Sequence, residues 1–252
     1  MASEAGQAEL SPQELVRYDR QLMVLGLEGQ KRLKRLSVLV VGAGGLGSFE
    51  ALYLAALGVG RIVIVDGDVV EESNLNRQVL HWEEDLGRPK AVSAAEKIQR
   101  FNPFIEVVPV TEPVTRDNVD ELVRSVDAVM DALDNWETRF IVDEAAYRHG
   151  KIFIHAGVYG LEGQVIPIVP GETSCLRCLL PPSLKTPPKT PAIGFTVGII
   201  AGIAVAELVK IVTGIGSANK GVMIVFDAAT METTRVELKP REGCSCTSQH
   251  ER

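Results

Sequence analysis

The sequence predicts an α/β fold: a Rossmann-like, mostly parallel sheet with helices on both faces, extended by antiparallel C-terminal strands. Two observations carry this prediction. From Leu36 to Asp68 the chain passes through an apolar strand, a glycine turn, an apolar helix and a second strand, and this alternation continues to about residue 150. Beyond residues 152–155 it gives way to short segments separated by glycine or polar turns, the pattern of antiparallel strands.

Residues 37–41 are apolar and end at once in Gly42-Ala43-Gly44-Gly45-Leu46-Gly47, after which residues 48–57 read as a helix and 59–65 as the second strand. Asp66 stands 24 positions after Gly42, where a βαβ nucleotide site places the carboxylate that receives ribose hydroxyls. Glycines let the backbone approach phosphates at a helix N-terminus, where unpaired N–H groups and the helix dipole favour negative charge. The alternative is a tight turn with nothing bound. The pattern does not choose among nucleotides.

With 252 residues and 46% hydrophobic composition, the chain suits one large core, so residues 11–246 read as a single domain between tails at 1–10 and 247–252. A formal charge of −7 with no basic run disfavours nucleic acid as a partner. The first ten residues lack the apolar core of a secretory signal, which gives a cytoplasmic expectation. The longest apolar stretch, 192–206, spans 15 residues before Glu207 and Lys210, so it predicts a buried helix and no membrane partner. Gly194, Gly198 and Gly202 share one face of that helix, which suits either a dimer contact or core packing.

At the N-terminal end, Ser11-Pro12-Gln13-Glu14 combines a capping serine, proline at the first helical position and a capping-box glutamate. The helix it starts carries Arg17-Tyr18-Asp19-Arg20-Gln21, placing Arg17 and Arg20 on one face, by default a solvated one. Residues 69–88 form a connection longer than the usual βα loop and hold Ser73-Asn74-Leu75-Asn76-Arg77-Gln78. Lys90 opens a helix that reaches Phe101 and stops at Asn102-Pro103. Arg77 and Lys90 are candidates for meeting phosphates at the carboxyl edge of the sheet, although each alone suits a surface charge. A strand at 105–110, a helix at 116–125 and a strand at 128–131 lead into Leu133-Asp134-Asn135. Either Asp134 or Asn135 caps the helix at 137–149, and a carboxylate here is placed to hold a magnesium ion bridging nucleotide phosphates. Further strands are expected at 163–169, 221–227 and 233–238. Pro181, Pro182, Pro187, Pro188 and Pro191 make 180–192 an extended connection, either a linker or a lid.

The four cysteines form C-x-x-C (Cys175, Cys178) and, 66 positions on, C-x-C (Cys244, Cys246). Two close thiol pairs suit a tetrahedral zinc site that staples the tail to the sheet, with a disulfide as the alternative. His81, His149, His155 and His250 have no ligand spacing to one another and read as structural or surface residues.

Taken together, R-Y-D-R-Q (17–21), G-A-G-G-L-G (42–47), the acids Asp66 and Asp68, S-N-L-N-R-Q (73–78), G-R-P-K (87–90), D-N (134–135), C-L-R-C (175–178) and the last cysteine pair resemble the ThiF/MoeB/HesA family, bacterial and archaeal relatives of ubiquitin-activating enzymes. The resemblance covers roughly residues 11–246. It implies adenylation, with magnesium-ATP, of the C-terminal glycine of a small ubiquitin-like sulfur-carrier protein ending in Gly-Gly. By motif match, residues 36–150 hold the nucleotide and residues 151–246 the carrier and the zinc. Gly42, Gly44, Gly45, Gly47, Asp66, Asp68, Ser73, Asn74, Leu75, Asn76, Gln78 and Asn135 then surround the nucleotide. Arg77 and Lys90 sit on its phosphates, Asp66 on the ribose and Asp134 on magnesium. Arg20 matches the arginine that the family supplies across a homodimer interface.

That chemistry needs cations rather than a base, because a carboxylate attacking the α-phosphorus meets an anionic centre. One departure stands out: the crossover segment 184–196 has no cysteine, and Thr186 and Thr190 cannot replace a thiolate. The reaction is therefore expected to stop at the acyl-adenylate, with a separate sulfurtransferase discharging it. An NAD-dependent oxidoreductase, which leaves Arg77, Lys90 and the cysteines without roles, and a catalytically silent partner are the competing readings.

Overall fold

The computed structural model describes residues 9–181, 183–187 and 189–241. Pro182, Pro188, Cys244, Cys246, His250 and most of both expected tails lie outside the described residues. In the first helix, α1 (Pro12–Arg17), the Ser11 hydroxyl accepts the Glu14 amide and the Glu14 carboxylate accepts the Ser11 amide, as the capping motif predicts. The continuous helix expected through Arg20 is broken. Tyr18 turns inward, its hydroxyl accepting from Asn102 Nδ2 at 2.9 Å, so Arg17 ends α1 while Arg20 lies in α2 (Asp19–Arg35). A second kink in α2 falls at Gly26, φ 67°.

The βαβ unit is β1 (Ser37–Val41), α3 (Gly45–Leu57) and β2 (Arg61–Val65). Helix α3 starts at Gly45, earlier than expected, because its first turn packs against the glycine turn itself: a Cβ on Gly47 would lie 1.8 Å from Gly42 O. Strand β2 starts late, since Gly58 ends α3 in the left-handed region and Gly60 N–H then donates to Leu33 O at 3.1 Å. Next come α4 (Lys90–Phe101), β3 (Glu106–Val110), α5 (Val119–Arg124), β4 (Ala128–Asp131) and α6 (Trp136–Arg148). Helix α5 is shorter than its expected span because the Asn118 side chain ties the preceding turn, accepting from Thr115 N–H at 2.8 Å and donating to Pro113 O at 3.0 Å. The remainder is β5 (Ile152–Tyr159), β6 (Glu162–Ile168), α7 (Leu176–Leu179), α8 (Gly194–Thr213), β7 (Val222–Asp227) and β8 (Glu232–Glu237). The short α7 within C-x-x-C was not anticipated. Strand β5 runs past residue 155 because it pairs with β6 to the end of their hairpin, Tyr159 opposite Glu162.

All eight strands form one sheet in the order β3-β2-β1-β4-β5-β6-β7-β8, parallel from β3 to β5 and antiparallel from β5 to β8. Helices α3, α4 and α8 pack on one face and α5, α6 and α7 on the other. Strand β1 lies between β2 and β4, so the strand order reverses there and opens a crevice at the carboxyl ends of β1 and β4.

Helix α8 is longer than the apolar stretch that predicted it: its 20 residues are long and apolar enough to cross a membrane. It is nevertheless a core helix, with buried Val197, Ile200, Ala201, Ala204 and Leu208 against α3 and the sheet. Buried Glu207 accepts from Asn219 N–H and pairs with Lys210. Its glycine face packs within the chain, since added Cβ atoms would meet Asn76 O at 3.0 Å from Gly194 and the Phe49 ring at 3.3 Å from Gly198.

Candidate active site

The crevice is lined first by the glycine turn. Gly42 has φ 101°, and a Cβ there would lie 2.8 Å from Ala132 O, so glycine is required on both counts. The next residue, Ala43, is held at both backbone groups. Its N–H donates to Asp66 Oδ2 at 2.7 Å, and its carbonyl accepts from His81 Nε2 at 2.8 Å. Burial lowers the His81 pKa, so the ring is neutral; with Nε2 donating, Nδ1 faces Ser93 Oγ at 3.0 Å as the acceptor. His81 is thus structural, as read from the sequence, yet it braces the turn itself. Asp66 Oδ1 accepts from Asp68 N–H at 2.8 Å, which orients the carboxylate and leaves lone pairs free.

The 69–88 connection folds back over this turn. Asn74 is buried and its Oδ1 accepts from Glu71 N–H at 3.0 Å, fixing a short 3-10 turn through Ser73 and leading into Leu75 and Asn76. Arg77 Nη1 donates to Ser73 O at 2.9 Å and to Asn76 Oδ1 at 3.1 Å, and the Arg77 stem passes over Gly45, 3.7 Å from where a Cβ would sit. Gln78 is buried beside Gly44, and its Oε1 has no partner among the described residues. Lys90, the first residue of α4, donates its amide to Asp68 O at 2.9 Å and its ammonium to Asp68 Oδ2 at 3.0 Å.

On the far side, β4 ends at Asp131 and α6 begins after Asn135. Asn135 is the cap, its Oδ1 accepting from Thr138 N–H at 2.9 Å. Asp134 is exposed, and among the described residues its one hydrogen-bond partner is the Asn135 amide at 3.5 Å. A carboxylate with free lone pairs at a strand end suits magnesium, which binds through one or two carboxylates and keeps its waters.

The structure therefore gathers the glycine turn, Asp66, Asp68, residues 73–78, Lys90, Asp134 and Asn135 around the carboxyl ends of β1, β2 and β4. It does not gather Arg20. Arg17 is engaged within the chain, donating to Phe101 O and lying 5.7 and 5.9 Å from the Phe101 and Phe104 ring centres. Arg20 is exposed and pairs with none of the described residues.

The described residues of the 180–192 connection cross this end of the sheet without helix or strand. Thr186 Oγ1 accepts from Trp136 N–H at 2.9 Å beside the Asp134 turn, and Pro191 O accepts from Gly160 N–H at 2.8 Å at the β5–β6 turn. Tethers at both places fit the lid reading better than a free linker. Nearby, Asp143 accepts from Leu176 N–H at 2.9 Å and Arg177 N–H at 3.2 Å, capping α7, and burial pushes its carboxyl up to about 7. Cys175 and Cys178 are buried with sulfurs 3.3 Å apart. Among the described residues no group of three or more His, Cys, Asp or Glu could hold a metal ion; Cys244 and Cys246, the other half of the expected set, lie outside them.

Comparison with known proteins agrees with this fold. The family model described as the ThiF family matches residues 18–247. The SAMP-activating enzyme E1 of Haloferax volcanii is 40% identical over 242 residues, which cover 93% of this chain and 89% of that protein. The sulfur carrier protein adenylyltransferase of Thermus thermophilus is 40% identical over 247 residues, covering 92% of this chain and 90% of that one. Among solved structures, Escherichia coli MccB with ATP superposes with a TM-score of 0.82 at 21% identity, covering 92% of this chain and 74% of its own. That likeness is one of fold.

Proposed function

The chain belongs to the ThiF family, and from that premise we propose that it uses magnesium-ATP to adenylate the C-terminal glycine of a small ubiquitin-like sulfur-carrier protein, releasing pyrophosphate. What supports this reading is that Asp66 and Arg77 meet the glycine turn directly, while Lys90, held by Asp68, and Asp134, just past the end of β4, stand at the same carboxyl edge of the sheet where strand order reverses. An oxidoreductase has no use for that cationic pair beside a carboxylate. In the proposed reaction the glycine carboxylate attacks the α-phosphorus, the acyl–phosphate bond forms and the bond to pyrophosphate breaks. Arg77 and Lys90 bind the phosphates and offset the charge of the transition state, Asp66 orients the ribose, and the glycine-turn amides approach the phosphates. Asp134 would hold magnesium, which supplies further charge neutralisation. The nucleotide half, about 36–150, and the carrier half, about 151–246, would meet beneath the 180–192 strap.

We assign Arg20 to the active site of a second copy. Val16, Met23 and Val24 are left 79%, 77% and 68% exposed around it, which supports a homodimer through this face. With no cysteine in the strap, the reaction ends at the acyl-adenylate, and a separate sulfurtransferase converts it to the thiocarboxylate. A cytoplasmic enzyme fits these reactants. The four cysteines we read as a zinc-thiolate site in the reduced protein. Metal analysis of reduced protein decides this, since zinc below one per chain would overturn it.

The test of function is pyrophosphate exchange into ATP, run with magnesium and a carrier ending in Gly-Gly. Exchange should require both. Exchange that persists with a carrier lacking its last two residues would sink the substrate assignment.

A further inference from the structure

Asp134 sits on a turn, Leu133-Asp134-Asn135, whose geometry is set by its neighbours. Leu133 N–H donates to Asp131 Oδ1 at 3.1 Å, and the Leu133 carbonyl accepts from Arg139 Nη2. Arg139 also donates to Ala156 O at 3.0 Å, and its Nε lies 3.4 Å from Asp131 Oδ1. Glycine at 157 makes room for it, since a Cβ there would lie 3.3 Å from Arg139 Nη1. Asp131 and His155 are register partners on β4 and β5, both fully buried, and His155 Nδ1 meets Asp131 Oδ2 at 2.7 Å. On the other side of the ring, Nε2 faces Gln164 Nε2 of β6 at 2.9 Å.

The proton positions in this chain follow from chemistry. A carboxylate only accepts, so Nδ1 donates to Asp131. The amide nitrogen of Gln164 only donates, so Nε2 accepts, and the imidazole is the neutral Nδ1–H tautomer. Burial pushes the His155 pKa down, in the same sense. Trp136 covers the cluster, its ring centre 5.6 Å from that of His155 and 4.9 Å from Arg139 Cζ. Three inward polar residues on adjacent strands, facing the same core as Phe153, Ile166 and Val129, would be costly unless fully paired.

We infer that Gln164, His155 and Asp131 form a relay of positioning residues across β6, β5 and β4 which, with Arg139, sets the turn that aims Asp134 into the site. The inference rests on the reading of Asp134 as the magnesium ligand. Residues that orient a ligand in this way tune metal binding without touching the metal.

The test compares full-length wild type with His155→Leu, His155→Asn, which keeps a donor near Nδ1, and Gln164→Leu, which cuts the relay at its half-buried end. Two readouts are taken: hydrogen–deuterium exchange of amides 132–136 without ligands, and the magnesium dependence of pyrophosphate exchange with kcat and KM for ATP separated. His155→Leu should accelerate exchange locally at 132–136. It should also raise the half-saturating magnesium concentration roughly tenfold or more and lower kcat, with KM for ATP little changed. His155→Asn should recover most of this. Wild-type exchange and magnesium dependence in His155→Leu would overturn the relay, as would a diffuse loss of protection that His155→Asn fails to rescue. If His155→Leu does not fold, Gln164→Leu decides: the same local loosening supports the relay, and its absence overturns it. Absence of pyrophosphate exchange in the wild type would instead reject the adenylation reading, while amide exchange would still report on the relay.

Discussion

Lys90 Nζ donates to Asp68 Oδ2 at 3.0 Å, with the lysine side chain 9% exposed and the aspartate 76%. An ion pair with one partner in water contributes little to stability, about 1 kcal/mol or less. On the proposed reading the pair holds the ammonium at the crevice until the phosphates of the nucleotide replace Asp68. Lys90→Ala should therefore lower pyrophosphate exchange at least about a hundredfold, on the scale of losing one stabilising donor at a developing anion, with Tm nearly unchanged. A large drop in Tm with activity retained would assign Lys90 to the fold.

Adjacent residues divide two tasks at the end of β4. Asn135 caps α6 and Asp134 is left exposed. Asn135→Ala should cost about 1 kcal/mol of stability through the lost cap and keep most activity. Asp134→Asn should keep stability and lose magnesium-dependent activity. Thermal unfolding and pyrophosphate exchange measured on both variants check this, and equal effects in the two would count against the division.

Both the strand-to-helix alternation and the nucleotide motifs were legible because they are local. The capping serine and asparagine act within a few residues of where they stand, and Asp66, although it reaches Ala43 across 23 positions, stands at the fixed spacing of a βαβ unit. What escaped was long-range. Tyr18 breaks the first helix because its hydroxyl meets Asn102, 84 positions away. His81 braces Ala43 across 38 positions, and His155 pairs with Asp131 across 24. No spacing rule marks a histidine whose partners are backbone or carboxylate groups on other elements. Gln164, on the adjoining antiparallel strand, could not have been linked to the Asp134 turn without the register of β4, β5 and β6.

Glu50 on α3 is fully buried, and neither carboxylate oxygen has a hydrogen-bond partner among the described residues. Burial pushes its carboxyl from the ordinary value of 4.5 up to about 8, with the Asp131 charge adding and Arg139 opposing. A group with a raised folded pKa contributes stability that is fully present below its unfolded value and is lost as pH rises through the folded one. Wild-type Tm should therefore fall as pH rises from the ordinary value of 4.5 to about 8 and level off above that. Asp143, pushed up to about 7, adds a slope of its own, so the comparison must be with Glu50→Gln. That variant should match wild type below about pH 4 and exceed it by roughly 3 °C or more at pH 9. Parallel Tm profiles would show that Glu50 does not titrate in this range.

Arg20 supplies the last test, because its proposed role depends on a second copy. It lies exposed at the start of α2, while its neighbour Arg17 is fixed to Phe101 within the same chain. A cation aimed at developing phosphate charge from a neighbouring subunit is worth roughly 10³ to 10⁵ in rate. Arg20→Ala and Arg77→Ala homodimers should each be nearly inactive. Mixed with subunit exchange, they form heterodimers in which one site keeps both Arg77 and a partner's intact Arg20, so that site should recover activity well clear of background. No recovery despite verified exchange would place Arg20 in its own chain's site or on a plain surface. In the same mixtures the carrier should never become attached through a thiol-sensitive bond, since the strap has no cysteine. A reductant-labile adduct on a non-reducing gel would mean that one of the four presumed zinc ligands is a nucleophile.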